Sequence, residues 1–125
     1  GTRVAVGWAV RGDVRSYVLA LFDGEKGELL WTSNAGEDLG DPAMAPDRVV
    51  FSGDGKMIGL LSFSMGDPPA GGIAVYDEDG TMIWRRKNSR CFGMSRDLRL
   101  SESGDEVLFV TCGSAYLYHI HASEQ

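Results

Sequence analysis

The stretch Leu21-Phe22-Asp23-Gly24-Glu25-Lys26-Gly27-Glu28-Leu29-Leu30-Trp31 sets the architecture of the chain. A short apolar run ends in Asp, a Gly-containing turn follows, and a second apolar run ends in Trp. That is the order of a β-hairpin. Further along, Val75-Tyr76-Asp77, a turn through Asp79-Gly80, and Met82-Ile83-Trp84 repeat it, with the tryptophans 53 residues apart. A different pattern recurs independently. Phe51-Ser52-Gly53-Asp54-Gly55 before Met57-Ile58 matches Leu100-Ser101-Glu102-Ser103-Gly104 before Val107-Leu108, with Gly55 and Gly104 49 residues apart. Tyr116-Leu117-Tyr118-His119 opens a third copy of the first pattern. Two offset patterns with nearly the same period mean one supersecondary unit used repeatedly, close to the ~40–50-residue spacing of propeller blades.

Across the chain, apolar runs separated by turn signals fall at residues 4–10, 17–22, 29–31, 48–51, 57–63, 73–76, 82–84, 98–100, 107–111 and 115–120. The pattern predicts an all-β chain of about ten strands, joined mostly by hairpins. No amphipathic helix is expected. Residues 36–47, which contain Pro42 and Pro46, read as a connection. Ile73-Ala74-Val75-Tyr76 and Val107-Leu108-Phe109-Val110 are apolar at consecutive positions. A strand with one wet face alternates, whereas one covered on both faces need not. Stacked sheets are therefore expected.

These residues resemble known propeller repeats. Gly27-Glu28-Leu29-Leu30-Trp31 with Gly36 five residues on is similar to the tryptophan-docking motif of pyrroloquinoline-quinone-type (PQQ-like) repeats. Phe51-Ser52-Gly53-Asp54-Gly55-Lys56 resembles the Ser-x-Asp-Gly turn of WD-repeat and related propellers. The resemblance covers most of the chain, and its motifs mark structural devices rather than an activity. The second copy departs from the docking pattern, with Ser89 where Gly36 stood and a shorter turn at Asp79-Gly80. The resemblance implies repeated antiparallel four-stranded meanders of propeller-blade type, about two and a half of them. On this reading the chain enters at the second strand of one unit, completes a second, and stops after the third strand of another. An open β-sheet array or a β-sandwich is the alternative. Residues 1–125 form a single β-repeat domain on this reading, and a fragment of a larger propeller would look the same.

Composition bounds the function. Hydrophobic residues at 43% and charged residues at 24% describe a globular chain, and 17 glycines suit many tight turns. The net charge of −6 argues against a nucleic-acid partner, which needs clustered cations. No run has the length of a membrane span, and the opening residues do not read as a signal peptide, which says little about location. The compartment is not assigned. Cys91 and Cys112 are too few to mark a disulfide scaffold, and geometry decides whether they pair.

Candidate chemistry is sparse. Trp31 and Trp84 end equivalent strands and read as docking or core residues. Trp8 lies outside that register and is the tryptophan expected at a surface contact. His119-x-His121 puts both imidazoles on one face of a strand, a weak metal motif without further ligands nearby. Asp77-Glu78-Asp79-Gly80 lacks the spacing of a calcium loop and reads as a hairpin turn, as does Arg11-Gly12-Asp13. Arg85-Arg86-Lys87 with Arg90 is the one basic cluster, expected to be a solvated strand end. No nucleophile elbow or phosphate loop is present, so no catalytic residue or cofactor is assigned.

The reading these features favour is a non-catalytic protein-interaction or scaffold module whose partner is another protein or further copies of itself. Its interaction candidates are Trp8, Glu37-Asp38, Asp41, Met65-Gly66-Asp67, and Arg85, Arg86 and Arg90. The alternatives are part of a small-molecule or cofactor site in a quinoprotein-like or hydrolase propeller, and a self-associating structural repeat protein.

Overall fold

The computed structural model describes residues 3–10, 16–34, 45–64, 70–88, 96–111 and 113–120. Within these residues ten strands run in chain order as β1 (Arg3–Val10), β2 (Ser16–Asp23), β3 (Leu29–Asn34), β4 (Ala45–Phe51), β5 (Ile58–Ser64), β6 (Ala70–Tyr76), β7 (Met82–Asn88), β8 (Arg96–Leu100), β9 (Glu106–Thr111) and β10 (Ser114–His119). They form three antiparallel sheets, ordered β1-β2-β3, β4-β5-β6-β7 and β10-β9-β8. The chain is all-β, with one complete four-stranded meander flanked by two three-stranded sheets.

The pairing registers make the repeat physical. Leu21 lies opposite Trp31 and Phe22 opposite Leu29, so Leu30 is extra and β3 bulges there. Val75 lies opposite Trp84 and Tyr76 opposite Met82, which places the same bulge at Ile83. The turns share their backbone bonds as well. Ser52 N–H donates to the Met57 carbonyl at 2.9 Å and Gly55 N–H to that of Ser52 at 2.9 Å, and the Ser101–Glu106 and Gly104–Ser101 bonds are both 3.0 Å. Ser52 Oγ accepts from Met57 N–H, and Ser101 Oγ from Glu106 N–H, each at 3.0 Å. By these registers β1, β5 and β9 are equivalent, as are β2, β6 and β10, β3 and β7, and β4 and β8.

Some boundaries differ from the sequence reading. Pro46, expected in a connection, lies in β4 at the edge of its sheet. An edge strand tolerates the missing N–H, and the register shifts between Pro46 and Arg48 to accommodate it. β7 runs on to Asn88 and so takes in Arg85, Arg86 and Lys87. It too is an edge strand, where cations deter pairing with another chain.

The sheets stack in series. β4 packs on β1 and β2, and β8 packs on β4 and β5. Leu19, Leu21, Ile58, Leu60, Ala74 and Tyr76 form the core between the first two sheets. Leu61, Ile73, Val75, Leu98, Val107 and Phe109 form the core between the second and third. Strand alternation thus sends Ala74 and Tyr76 to one core and Ile73 and Val75 to the other, which accounts for the consecutive apolar run. Each large side chain so buried contributes about 1.5–3 kcal/mol relative to exposure.

Candidate functional site

Every sheet has two faces, and their contacts begin with the tryptophans. Trp31 leaves the first sheet toward the second, and its Nε1–H donates to the Glu78 carbonyl in the β6–β7 turn at 3.0 Å. Its ring lies 5.9 Å from that of Tyr76. A Cβ at Gly80 would come within 2.7 Å of the indole, and Gly80 has φ +87°, so only glycine seats the ring here. Trp84 stands 5.4 Å from Tyr118 of the third sheet. Because Tyr118 is the register equivalent of Tyr76, the second contact repeats the first. Both tryptophans are docking residues.

The second and third sheets are further joined backbone to backbone. Asp54 N–H donates to the Glu102 carbonyl at 2.8 Å and Gly53 N–H to that of Ser101 at 3.4 Å. Arg86 places its guanidinium 4.7 Å from the centre of the Tyr118 ring, a cation–π contact. Arg85 and Lys87 are exposed on the same strand. Arg86 is thereby engaged with a neighbouring sheet, while Arg90 lies outside the described residues.

Where turns of the first two sheets meet, Arg3, Asp23, Asp54, Lys56 and Glu78 line a cleft of about 520 Å³. Arg3 and Glu78 are 3.6 Å apart. Asp23 Oδ1 accepts from Glu25 and Lys26 N–H, and Asp54 Oδ1 accepts from Lys56 N–H and Ser52 Oγ–H. The Lys56 N–H, and then the Ser52 hydroxyl, hold the Asp54 carboxyl below its ordinary pKa. These carboxylates build turns, so the cleft's charge is largely committed to the fold. The cleft was not legible in the sequence because its residues come from separate turns.

The hairpin reading of Asp77-Glu78-Asp79-Gly80 is met by Asp77 Oδ1, which accepts from Asp79 and Thr81 N–H at 2.9 and 3.0 Å. His119 is exposed on β10, with Nδ1 3.7 Å from Glu106 Oε2. Among the described residues no group of three His, Cys, Asp or Glu could hold a metal ion. Trp8 lies on β1 opposite Val18, and its side chain lies outside the described residues. So do Glu37-Asp38, Asp41, Met65, Asp67, Arg90, Cys91, Cys112, His121 and Arg11-Gly12-Asp13. No helix among the described residues is long and apolar enough to cross a membrane.

The outermost faces are the feature the sequence reading did not single out. On the first sheet Val4 and Val6 are 45% and 40% exposed, and on the third Leu108 and Leu117 are 39% and 56% exposed. By register, Val4 and Val6 are the equivalents of Ile58 and Leu60, which are buried against the first sheet. Leu117 is the equivalent of Val75, buried against the third. The runs of apolar residues in β1 and β9 would have flagged these faces. No protein-family model matches the chain, and no curated protein matches it either.

Proposed function

We propose that the chain is a non-catalytic interaction or scaffold module, built of propeller-type β repeats whose sheets follow one another as blades do. The equivalent strands, the serial packing of β4 and β8, and the repeated tryptophan docking support the blade reading. One observation carries the functional reading. Val4 and Val6 on the first sheet and Leu108 and Leu117 on the third are exposed apolar side chains, although Ala20 opposite Val6 is buried, and their counterparts within the chain are buried. Contiguous apolar surface on a folded protein marks an interaction site. The stacked sheets hold these faces rigid, so little ordering cost opposes binding.

A photo-crosslinking residue placed at position 6 or 117, in extract of the cells that make the protein, tests this. Protein adducts at both positions, and none from a control at Lys26 in an exposed turn, are expected. Adduct yields at 6 and 117 no higher than at Lys26 would overturn the reading.

A further inference from the structure

We infer that the outward face of the first sheet binds the outward face of the third sheet of a second copy of this chain, head to tail. This rests on the reading of those faces as contact surfaces and names their occupant.

The two outward faces match as halves of one junction. Each internal junction joins two kinds of face. One is presented by Leu19 and Leu21 in the first sheet and by Leu61, Ile73 and Val75 in the second. The other is presented by Ile58, Leu60 and Tyr76 in the second sheet and by Val107, Phe109 and Tyr118 in the third. Among the described residues the faces left over are one of each kind. Leu108, Val110 and Leu117 occupy the register positions of Gly59, Leu61 and Val75. Val4, Val6 and Phe22 occupy those of Ile58, Leu60 and Tyr76. A second copy supplies the complement to both at once.

Shape and charge agree with this pairing. At Gly59 a Cβ would come within 3.3 Å of Leu100, which β8 brings against the second sheet. Among the described residues the first sheet has no strand equivalent to β8, and Leu108 stands at the Gly59 position of the third sheet. A leucine there fills the room that Leu100 takes at the internal junction. Beside Leu108 and Leu117, Asp97 pairs with Arg99 and also with Arg48 of the second sheet, and Glu106 faces His119. Arg99 Nε lies 3.3 Å from Asp97 Oδ2, and His119 Nδ1 lies 3.7 Å from Glu106 Oε2. Val4, Val6 and Phe22 bring no charge to meet them. The contact joins unlike faces, so it either closes a ring or propagates.

The test uses Val6→Lys and Leu117→Lys, each blocking one face, with sedimentation equilibrium as the readout. Both side chains are exposed, and circular dichroism and tryptophan fluorescence test whether each variant folds. Val4→Lys and Leu108→Lys replace them if either does not. The wild-type chain is expected to associate with rising concentration, and each variant alone to remain monomeric. An equimolar mixture of the two is expected to regain association as a one-to-one dimer that grows no further, because only one usable pair of faces remains. A wild-type chain monomeric at every concentration overturns the inference, as does a variant that associates alone or a mixture that stays monomeric. If the wild type is monomeric while positions 6 and 117 still crosslink to other proteins, this inference fails and the interaction reading stands.

Discussion

Two apolar runs of the same length, Ile73-Ala74-Val75-Tyr76 in β6 and Val107-Leu108-Phe109-Val110 in β9, meet different fates. All four residues of the first are buried, with none more than 2% exposed. In the second, Val107 and Phe109 are buried while Leu108 is 39% exposed. Both strands are paired on either side, so hydrogen bonding does not separate them. The difference lies in what covers their faces. Among the described residues the second sheet is packed against a sheet on each side, and the third against one. Consecutive apolar residues therefore encode two covers, and β9 carries the code for a cover that the described part of a single chain does not supply.

The largest contrast should come from placing the same charge at equivalent points of the two sheets. Val75→Lys strands an uncompensated charge between two sheets, an expected loss of about 3–5 kcal/mol. Leu117→Lys, at the matching position on the open face, is expected to cost about 0.5 kcal/mol or less. Urea denaturation at low protein concentration measures both. Equal losses would mean that the two faces are not in different environments.

A smaller difference is expected at two glycines. Gly27 and Gly80 have φ +71° and +87° in the corresponding turns of the first and second sheets. Nothing described lies within 4 Å of a Cβ at Gly27, whereas one at Gly80 would strike Trp31. Gly27→Ala should therefore cost only the left-handed backbone, about 1–2 kcal/mol. Gly80→Ala adds the displaced indole and should cost about 2–4 kcal/mol in all. It alone should shift the Trp31 fluorescence. Thermal melts with fluorescence detection separate the two variants.

The least difference is expected between the two serine turns. Asp54 is held below its ordinary pKa by Lys56 N–H and Ser52, and Asp105 by the Ser103 and Ser101 hydroxyls. A carboxyl lowered in the folded state contributes stability that is fully present above its unfolded-state value. That contribution is lost as pH falls through the lowered folded value. Stability should thus fall below about pH 4. Asp54→Asn and Asp105→Asn should each flatten that fall by a similar, small amount in melts between neutral and acid pH. A steepened acid limb in either variant would contradict the assignment.

The repeat was legible in the sequence because hairpin geometry is local. Asp23 and Asp77 brace the corresponding turns, and Trp31 and Trp84 follow bulges placed alike. Coverage of β6 was legible too, since a short strand that is apolar at every position has no face suited to water. The same signal in β9 led to an expectation of two covers, which the described residues meet on one face. The start of β4 at Ala45 was not legible, because Pro46 is a breaker in most settings and is tolerated here by position at an edge. Nor were the locks between sheets. The Trp31 bond to the Glu78 carbonyl and the Asp54 bond to the Glu102 carbonyl join residues far apart in the chain. No local pattern announces such partners. The cleft of Arg3, Lys56 and Glu78 escaped for the same reason. The connecting segments that held Asp41, Met65 and Asp67 fall outside the described residues, and the apolar faces became the candidate surfaces instead.

Amide hydrogen exchange, resolved by residue in β6 and β9 and run dilute enough to keep the chain monomeric, is the sharpest probe of two covers against one. Both strands sit in the middle of their pairing, so any difference in protection reports how the faces are covered. With a sheet on each side of β6, the amides of Ile73, Ala74, Val75 and Tyr76 are expected to exchange last, with the global unfolding of the domain. Those of Val107, Leu108, Phe109 and Val110 should exchange measurably sooner. Protection in β9 equal to or greater than that in β6 would contradict this.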